Sequence, residues 1–168
     1  NATIYDDLLI IDELLGGNTK TTVIIKGALF FNPDDAMLKL LPLKNVDYLV
    51  GGESDFMLAE LIETHFEKQD NLKNIRGISF KKNGEWIKTD FSTWENDLDS
   101  LVFPDRSEIK NKLYVRPDTG EAQATIVTSR GCPSKCIFCL TPTISGTKLR
   151  LRSPENIHEE IVNCYEKH

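Results

Sequence analysis

The feature that most constrains the fold is an alternation of helical and strand periodicities through the first 66 residues. "TIYDDLLIIDELL" puts Ile4, Leu8, Ile11 and Leu15 on one face with acids opposite, and "GGN" supplies a stop, so a helix is predicted from about Thr3 to Leu15. "TTVIIKG" is β-branched and nearly all apolar, as expected of a strand buried on both faces. "NPDDAMLKLLP" reads as a second helix with Asn32 at its cap and Pro33 in its first turn. "VDYLVGG" is a second strand, and "SDFMLAELIETHFEK" a third helix capped by Ser54. The order α, β, α, β, α with short turns argues for an α/β fold built on a parallel sheet with crossover helices.

After about Gln69 the pattern changes. "IRGISFKKNGEWIKTD" holds two alternating runs around Asn83-Gly84, a dipeptide suited to a tight hairpin turn. From Phe91 to Ala124 the chain is polar and irregular, as in a linker between domains. "ATIVTS" then starts a new strand, and "SPENIHEEIVNCYEKH" is a helix with Ser153 at its cap and Pro154 at its first position. The organisation is therefore residues 1–70 as part of an α/β sheet, 71–124 as hairpin and linker, and 125–168 as one β-loop-α unit. The chain opens on Asn1 rather than Met and reads as a piece of a longer product.

The net charge of −6 over 168 residues gives no general pull toward nucleic acid or anionic lipid. No apolar run approaches the ~20 residues that span a bilayer, and no secretory pattern opens the chain. A cytoplasmic location is the expectation, with no membrane and no nucleic-acid partner. In that reducing compartment clustered cysteines bind metal or do redox chemistry more often than they form disulfides. Three of the four cysteines, Cys132, Cys136 and Cys139, fall within "TSRGCPSKCIFCLTP". Structural zinc usually takes four protein ligands in two pairs, and only Cys164 and His158 on the following helix add to the triplet. A 4Fe-4S cube held by three cysteines leaves one iron free for a ligand that is not protein. A metal-binding module without catalysis is the competing reading.

With Phe138 counted, the run Cys132, Cys136, Phe138, Cys139 resembles the signature of the radical S-adenosylmethionine (SAM) enzymes: Cys, three residues, Cys, one residue, an aromatic, Cys. In that family the loop follows the first strand of a partial or complete β/α barrel, as here it follows "ATIVTS". The resemblance implies that the three cysteines hold a 4Fe-4S cluster and that its open iron chelates the amino and carboxylate groups of SAM. It implies reductive cleavage of SAM to a 5'-deoxyadenosyl radical, an oxygen-sensitive site, Phe138 against the adenine, and an electron donor such as ferredoxin or flavodoxin. "LDSLVFPDR", "RPDTGEAQATIVTSRGCP" and "GTKLRLRSPENIHEEI" are similar to segments of radical SAM proteins that carry an N-terminal cobalamin-binding domain. By that likeness residues 1–70 are the C-terminal part of a Rossmann-like cobalamin domain, 71–124 a hairpin and interdomain linker, and 125–168 the start of the radical SAM barrel. Gly27, Gly51, Gly52 and Glu53 then stand where cobalamin would lie, although turn glycines in β-to-α loops explain the same residues.

Two departures qualify the likeness. The cobalamin-ligating Asp-x-His-x-x-Gly motif is absent, and Lys26 stands in place of one glycine of the usual pair. The implied reaction is radical chemistry, methylation or rearrangement, on a small or medium organic substrate. A radical SAM methylthiotransferase acting on tRNA or protein is the alternative, weakened because residues 1–124 contain none of the additional cysteines usual there. Arg150 and Arg152 could contact an anionic cofactor or substrate but read more readily as exposed basic residues, the acids of "DDLLIIDELL" and "EEIVNCYEK" read as solvated helix faces, and His65 as a helix residue without a partner cluster. Arg130 reads equally as a prop for the cysteine loop or as exposed, and Cys164 as a small buried hydrophobe.

Overall fold

In the computed structural model, which describes residues 3–18, 20–67, 71–90 and 94–167, the first periodic run forms helix α1, Ile4–Leu15, with Ile4 and Leu8 buried. The chain divides into two units, Asn1–Trp94 and Glu95–His168. In the first, β1 (Ile24–Lys26) lies parallel to β2 (Tyr48–Val50), with Ile24 opposite Tyr48 and Lys26 opposite Val50. Helix α2 (Asp35–Leu40) connects them, and α3 (Asp55–Phe66) follows β2.

Strand alternation sorts β2 between two cores. Leu49 joins Ile4, Leu8, Phe30 and Leu38 on the α1 and α2 side, while Tyr48 and Val50 join Met57, Leu61, Ile78 and Phe80 on the α3 side. The sheet is thus covered on both faces. β1 is less enclosed than its composition predicts: Ile24 and Ile25 are half-buried and Lys26 is exposed, because β1 is the outer strand of the sheet described.

The sheet is mixed, not parallel. β3 (Ile78–Lys82) and β4 (Glu85–Lys88) form the hairpin expected at Asn83-Gly84, whose φ angles of 54° and 84° are those of a tight two-residue turn. That hairpin extends the sheet in the order β1-β2-β3-β4, with β3 antiparallel to β2. The cause lies in residues 71–77. Leu72 and Ile75 pack into the α3-side core, and the segment delivers Ile78 opposite Val50, at the carboxyl end of β2. A strand entering from that end must run antiparallel.

Two caps differ from expectation. The cap of α2 is Asp34, whose carboxylate accepts from the Met37 N–H at 2.6 Å, and Asn32 lies two residues earlier with φ 48°. An ionised acceptor at a helix N-terminus also meets the positive end of the helix dipole. Ser54 occupies the cap position of α3, but its side chain makes no capping bond.

The second unit begins with short 3₁₀ turns at Leu98–Ser100 and Asn111–Leu113 and an isolated bridge between Val115 and Ala122. The strand expected over "ATIVTS" is confined to β5, Ser129–Arg130, which pairs antiparallel with β6, Arg150–Leu151. Between them lies α4, Thr141–Ser145, and after them α5, Pro154–Lys167. Ser153 caps α5 as predicted, its Oγ accepting from the Asn156 N–H at 3.1 Å. Among the described residues no helix is long and apolar enough to cross a membrane.

Candidate metal centre

The cysteine loop leaves β5 and returns through β6, so the Arg130–Arg150 pair forms its base. Just inside, the Cys132 N–H donates to the Gly146 carbonyl at 3.0 Å. Gly131 has φ +81°, and a Cβ there would fall 2.1 Å from the Lys148 carbonyl oxygen, so only glycine lets the two arms of the loop approach this closely. Further along, the Cys139 N–H donates to the Cys136 carbonyl at 3.1 Å, and α4 begins two residues later. Cys132, Cys136 and Cys139 all carry free thiols; Cys136 is exposed and the other two are half-buried.

The outer part of the loop presents apolar side chains to solvent. Phe138 is 87% exposed and Ile137 fully so, an arrangement that leaves the aromatic available to a ligand. Hydrogen bonds from the Thr141 hydroxyl and then from its backbone N–H hold the Cys139 thiol below its usual pKa. Among the described residues no three His, Cys, Asp or Glu side chains converge as a single ion would require. Three thiolates on one short loop are a donor set that an iron-sulfur cluster accepts.

Behind the loop is a charged network that the sequence pattern hides. Glu160 on α5 is 2% exposed and accepts from Arg106 at 2.8 Å and from Arg152. Arg106 also donates to the Thr125 carbonyl at 3.0 Å, and Arg152 to the Val127 carbonyl at 2.9 Å and the Asn156 side chain at 2.6 Å. The guanidinium of Arg152 sits 5.5 Å from the Phe103 ring centroid. Burial alone would raise the Glu160 pKa, but hydrogen bonds from Arg106 and Arg152 and their charges outweigh it and hold the carboxyl below its ordinary value.

These contacts correct two expectations. Glu160 is not on a solvated face, and in "KLRLRS" the arginines point in while Leu149 and Leu151 are exposed. Arg150, 5% exposed, donates to the carbonyls of Glu95 and Ser145. The inversion follows from supply: each guanidinium finds acceptors inside, which removes the usual penalty for burying it.

In the first unit Gly27 follows β1, and Gly51, Gly52 and Glu53 follow β2, so all four gather at the carboxyl end of the parallel pair. The Gly27 N–H donates to the Val50 carbonyl at 3.0 Å. A Cβ on Gly51 would lie 2.5 Å from the Phe30 carbonyl oxygen, so this glycine is required by the turn packed against it. His65 has partners after all. Its Nδ1 lies 2.8 Å from the Tyr48 hydroxyl and its Nε2 3.0 Å from the Thr22 hydroxyl, at the opposite end of β2 from the glycines.

No family model matches the chain. An uncharacterized methyltransferase of Pyrococcus horikoshii is 30% identical over 116 residues, 69% of this chain and 25% of that protein. A putative methylthiotransferase of Methanocaldococcus jannaschii is 26% identical over 149 residues, 84% of this chain and 27% of that protein. Other relatives include an anaerobic magnesium-protoporphyrin IX monomethyl ester cyclase of Synechocystis, 30% identical over 125 residues, 73% of this chain and 24% of that protein. The chain spans about a quarter of the length of these curated relatives. Its fold is similar to that of the radical SAM methyltransferase TsrM from Kitasatospora setae, at a TM-score of 0.61 and 19% identity, covering 96% of this chain and 30% of TsrM in a structure with tryptophan substrate and a SAM analogue bound. A second TsrM structure, TM-score 0.56 and 17% identity over 86% of this chain and 28% of TsrM, has cobalamin and a [4Fe-4S] cluster bound.

Proposed function

We propose that the chain is the junction segment of a radical SAM enzyme whose cluster is held by Cys132, Cys136 and Cys139. Residues 1–70 correspond to the C-terminal part of a cobalamin-binding-type domain, 71–124 to hairpin and linker, and 125–168 to the first β-loop-α unit of a partial barrel. The observation that carries the reading is the loop itself: three free thiols on one loop closed at its base by β5 and β6, beside an exposed aromatic. When bound there, a 4Fe-4S cluster would supply one electron to SAM at its open iron.

The chain's own residues hold and frame that site. The Cys132 N–H anchors the first ligand to Gly146, the Thr141 hydrogen bonds favour the thiolate form of Cys139, and Phe138 would lie against the adenine of SAM. Gly27, Gly51, Gly52 and Glu53 would line one edge of cobalamin, since ligands of open α/β sheets occupy the crevice beyond the carboxyl ends of parallel strands. TsrM, of similar fold, has cobalamin and a [4Fe-4S] cluster bound in one structure and a SAM analogue in another, which supports these classes of cofactor. The substrate class is a small organic molecule, the reaction methyl transfer, the electron donor a ferredoxin or flavodoxin, and the location cytoplasmic. A methylthiotransferase acting on tRNA is the second reading, favoured by a tRNA-modifying relative from Karelsulcia muelleri. The lack of any cysteine in residues 1–124 weighs against it.

Because this segment alone is expected to be inactive, the test is electron paramagnetic resonance of the anaerobically reconstituted, dithionite-reduced full-length enzyme with and without SAM. A cluster signal that shifts on SAM addition is expected. A signal indifferent to saturating SAM would overturn the proposal.

A further inference from the structure

We infer that Arg150 is a positioning residue for the cysteine loop, closing residues 131–149 into their ligating shape independently of any metal. This rests on the reading of the loop as the cluster site. The loop has one neck, and four contacts meet there. Arg130 pairs with Arg150 across β5 and β6; the Cys132 N–H reaches the Gly146 carbonyl at 3.0 Å; the Arg150 guanidinium donates to the Ser145 carbonyl at 2.7 Å; and Gly131 packs against Lys148 with no room for a Cβ.

Ser145 is the last residue of α4 and Gly146 the next, so Arg150 and Cys132 hold adjacent carbonyls. One guanidinium therefore fixes the end of the segment against which the first cysteine is hung. Its other arm donates to the Glu95 carbonyl, so the neck is also tied to the start of this unit. Arginine is the side chain for this task, because a planar fork donates in two fixed directions while an ammonium is a single point on a flexible stem. Five-percent exposure makes the arrangement rigid and shields it from competing water.

The experiment compares wild type with Arg150→Met, Arg150→Lys and Gly131→Ala in the full chain. Amide hydrogen exchange is read first, on metal-free protein. Exchange at Cys132 and across residues 145–149 should be at least tenfold faster in each variant, with the central amides of α5 unchanged. Where the Met variant also loosens α5, Arg150→Lys, which keeps the charge but lacks the planar fork whose two nitrogens reach Glu95 and Ser145 separately, carries the comparison. Anaerobic reconstitution follows, with iron bound per chain expected to fall at least threefold and the signal of the reduced cluster to broaden. Wild-type exchange in the loop of Arg150→Lys and Gly131→Ala would overturn the inference. A wild-type chain that takes up no cluster would overturn the proposed function instead, leaving the metal-free comparison to judge Arg150 by itself.

Discussion

Replacing Glu160 with Ala tests the account of the second unit at its most sensitive point. Glu160 is 2% exposed, and the arginines it bridges have side chains only 9% and 10% exposed, so one truncation leaves two guanidinium groups short of their anion. Removing one partner of a buried pair costs roughly 3–5 kcal/mol, because the remaining charge is buried without compensation. At about 1.4 kcal/mol per factor of ten, opening of α5 should become between about a hundred and a few thousand times more frequent. Amide hydrogen exchange of the central α5 residues reads this directly. Glu160→Gln, which keeps the volume and one acceptor, should fall between the two. A loss of α5 protection smaller than tenfold in Glu160→Ala would refute the argument that this pair holds the unit together.

Three other outcomes are expected. Because Glu160 has a folded-state pKa below its unfolded value near 4.5, its contribution is complete above that pH and is lost as pH falls below it; α5 protection should drop in acid, and less steeply in Glu160→Gln. Asp34→Ala should destabilise the first unit by about 1 kcal/mol, read as a lowered urea midpoint of tryptophan fluorescence, whereas Asp34→Asn, which keeps a side-chain acceptor for the Met37 N–H, should lose far less. In a chain whose other three cysteines are Ser, Thr141→Val should move the pH midpoint of Cys139 alkylation upward, because one of two hydrogen bonds favouring the thiolate is gone; an unchanged midpoint would contradict it.

What could be read from the sequence was what is local. The Asn83-Gly84 turn and the Ser153 cap each depend on residues a few positions apart, and each stands where the pattern puts it. The shift of the α2 cap from Asn32 to Asp34 is a matter of two residues between equally plausible polar side chains. The mixed sheet was illegible for another reason. Strand direction at β3 is set by how Leu72 and Ile75 pack, and no periodicity records that. The buried arginines were least legible of all, since Arg106 meets Glu160 across 54 residues and alternation in "KLRLRS" assigns leucine, not arginine, to the interior. The same limit hid the two partners of His65, one of them 43 residues away.

The central claim is that Cys132, Cys136 and Cys139 each hold one iron of a single cluster. Iron and acid-labile sulfide should be measured after anaerobic reconstitution of the wild type, of each single Ser variant of the triplet, and of Cys164→Ser. The account predicts about four iron and four sulfide per chain in the wild type and in Cys164→Ser, with a marked loss in each triplet variant. One zinc without sulfide in the wild type, or full cluster content in any triplet variant, would contradict it.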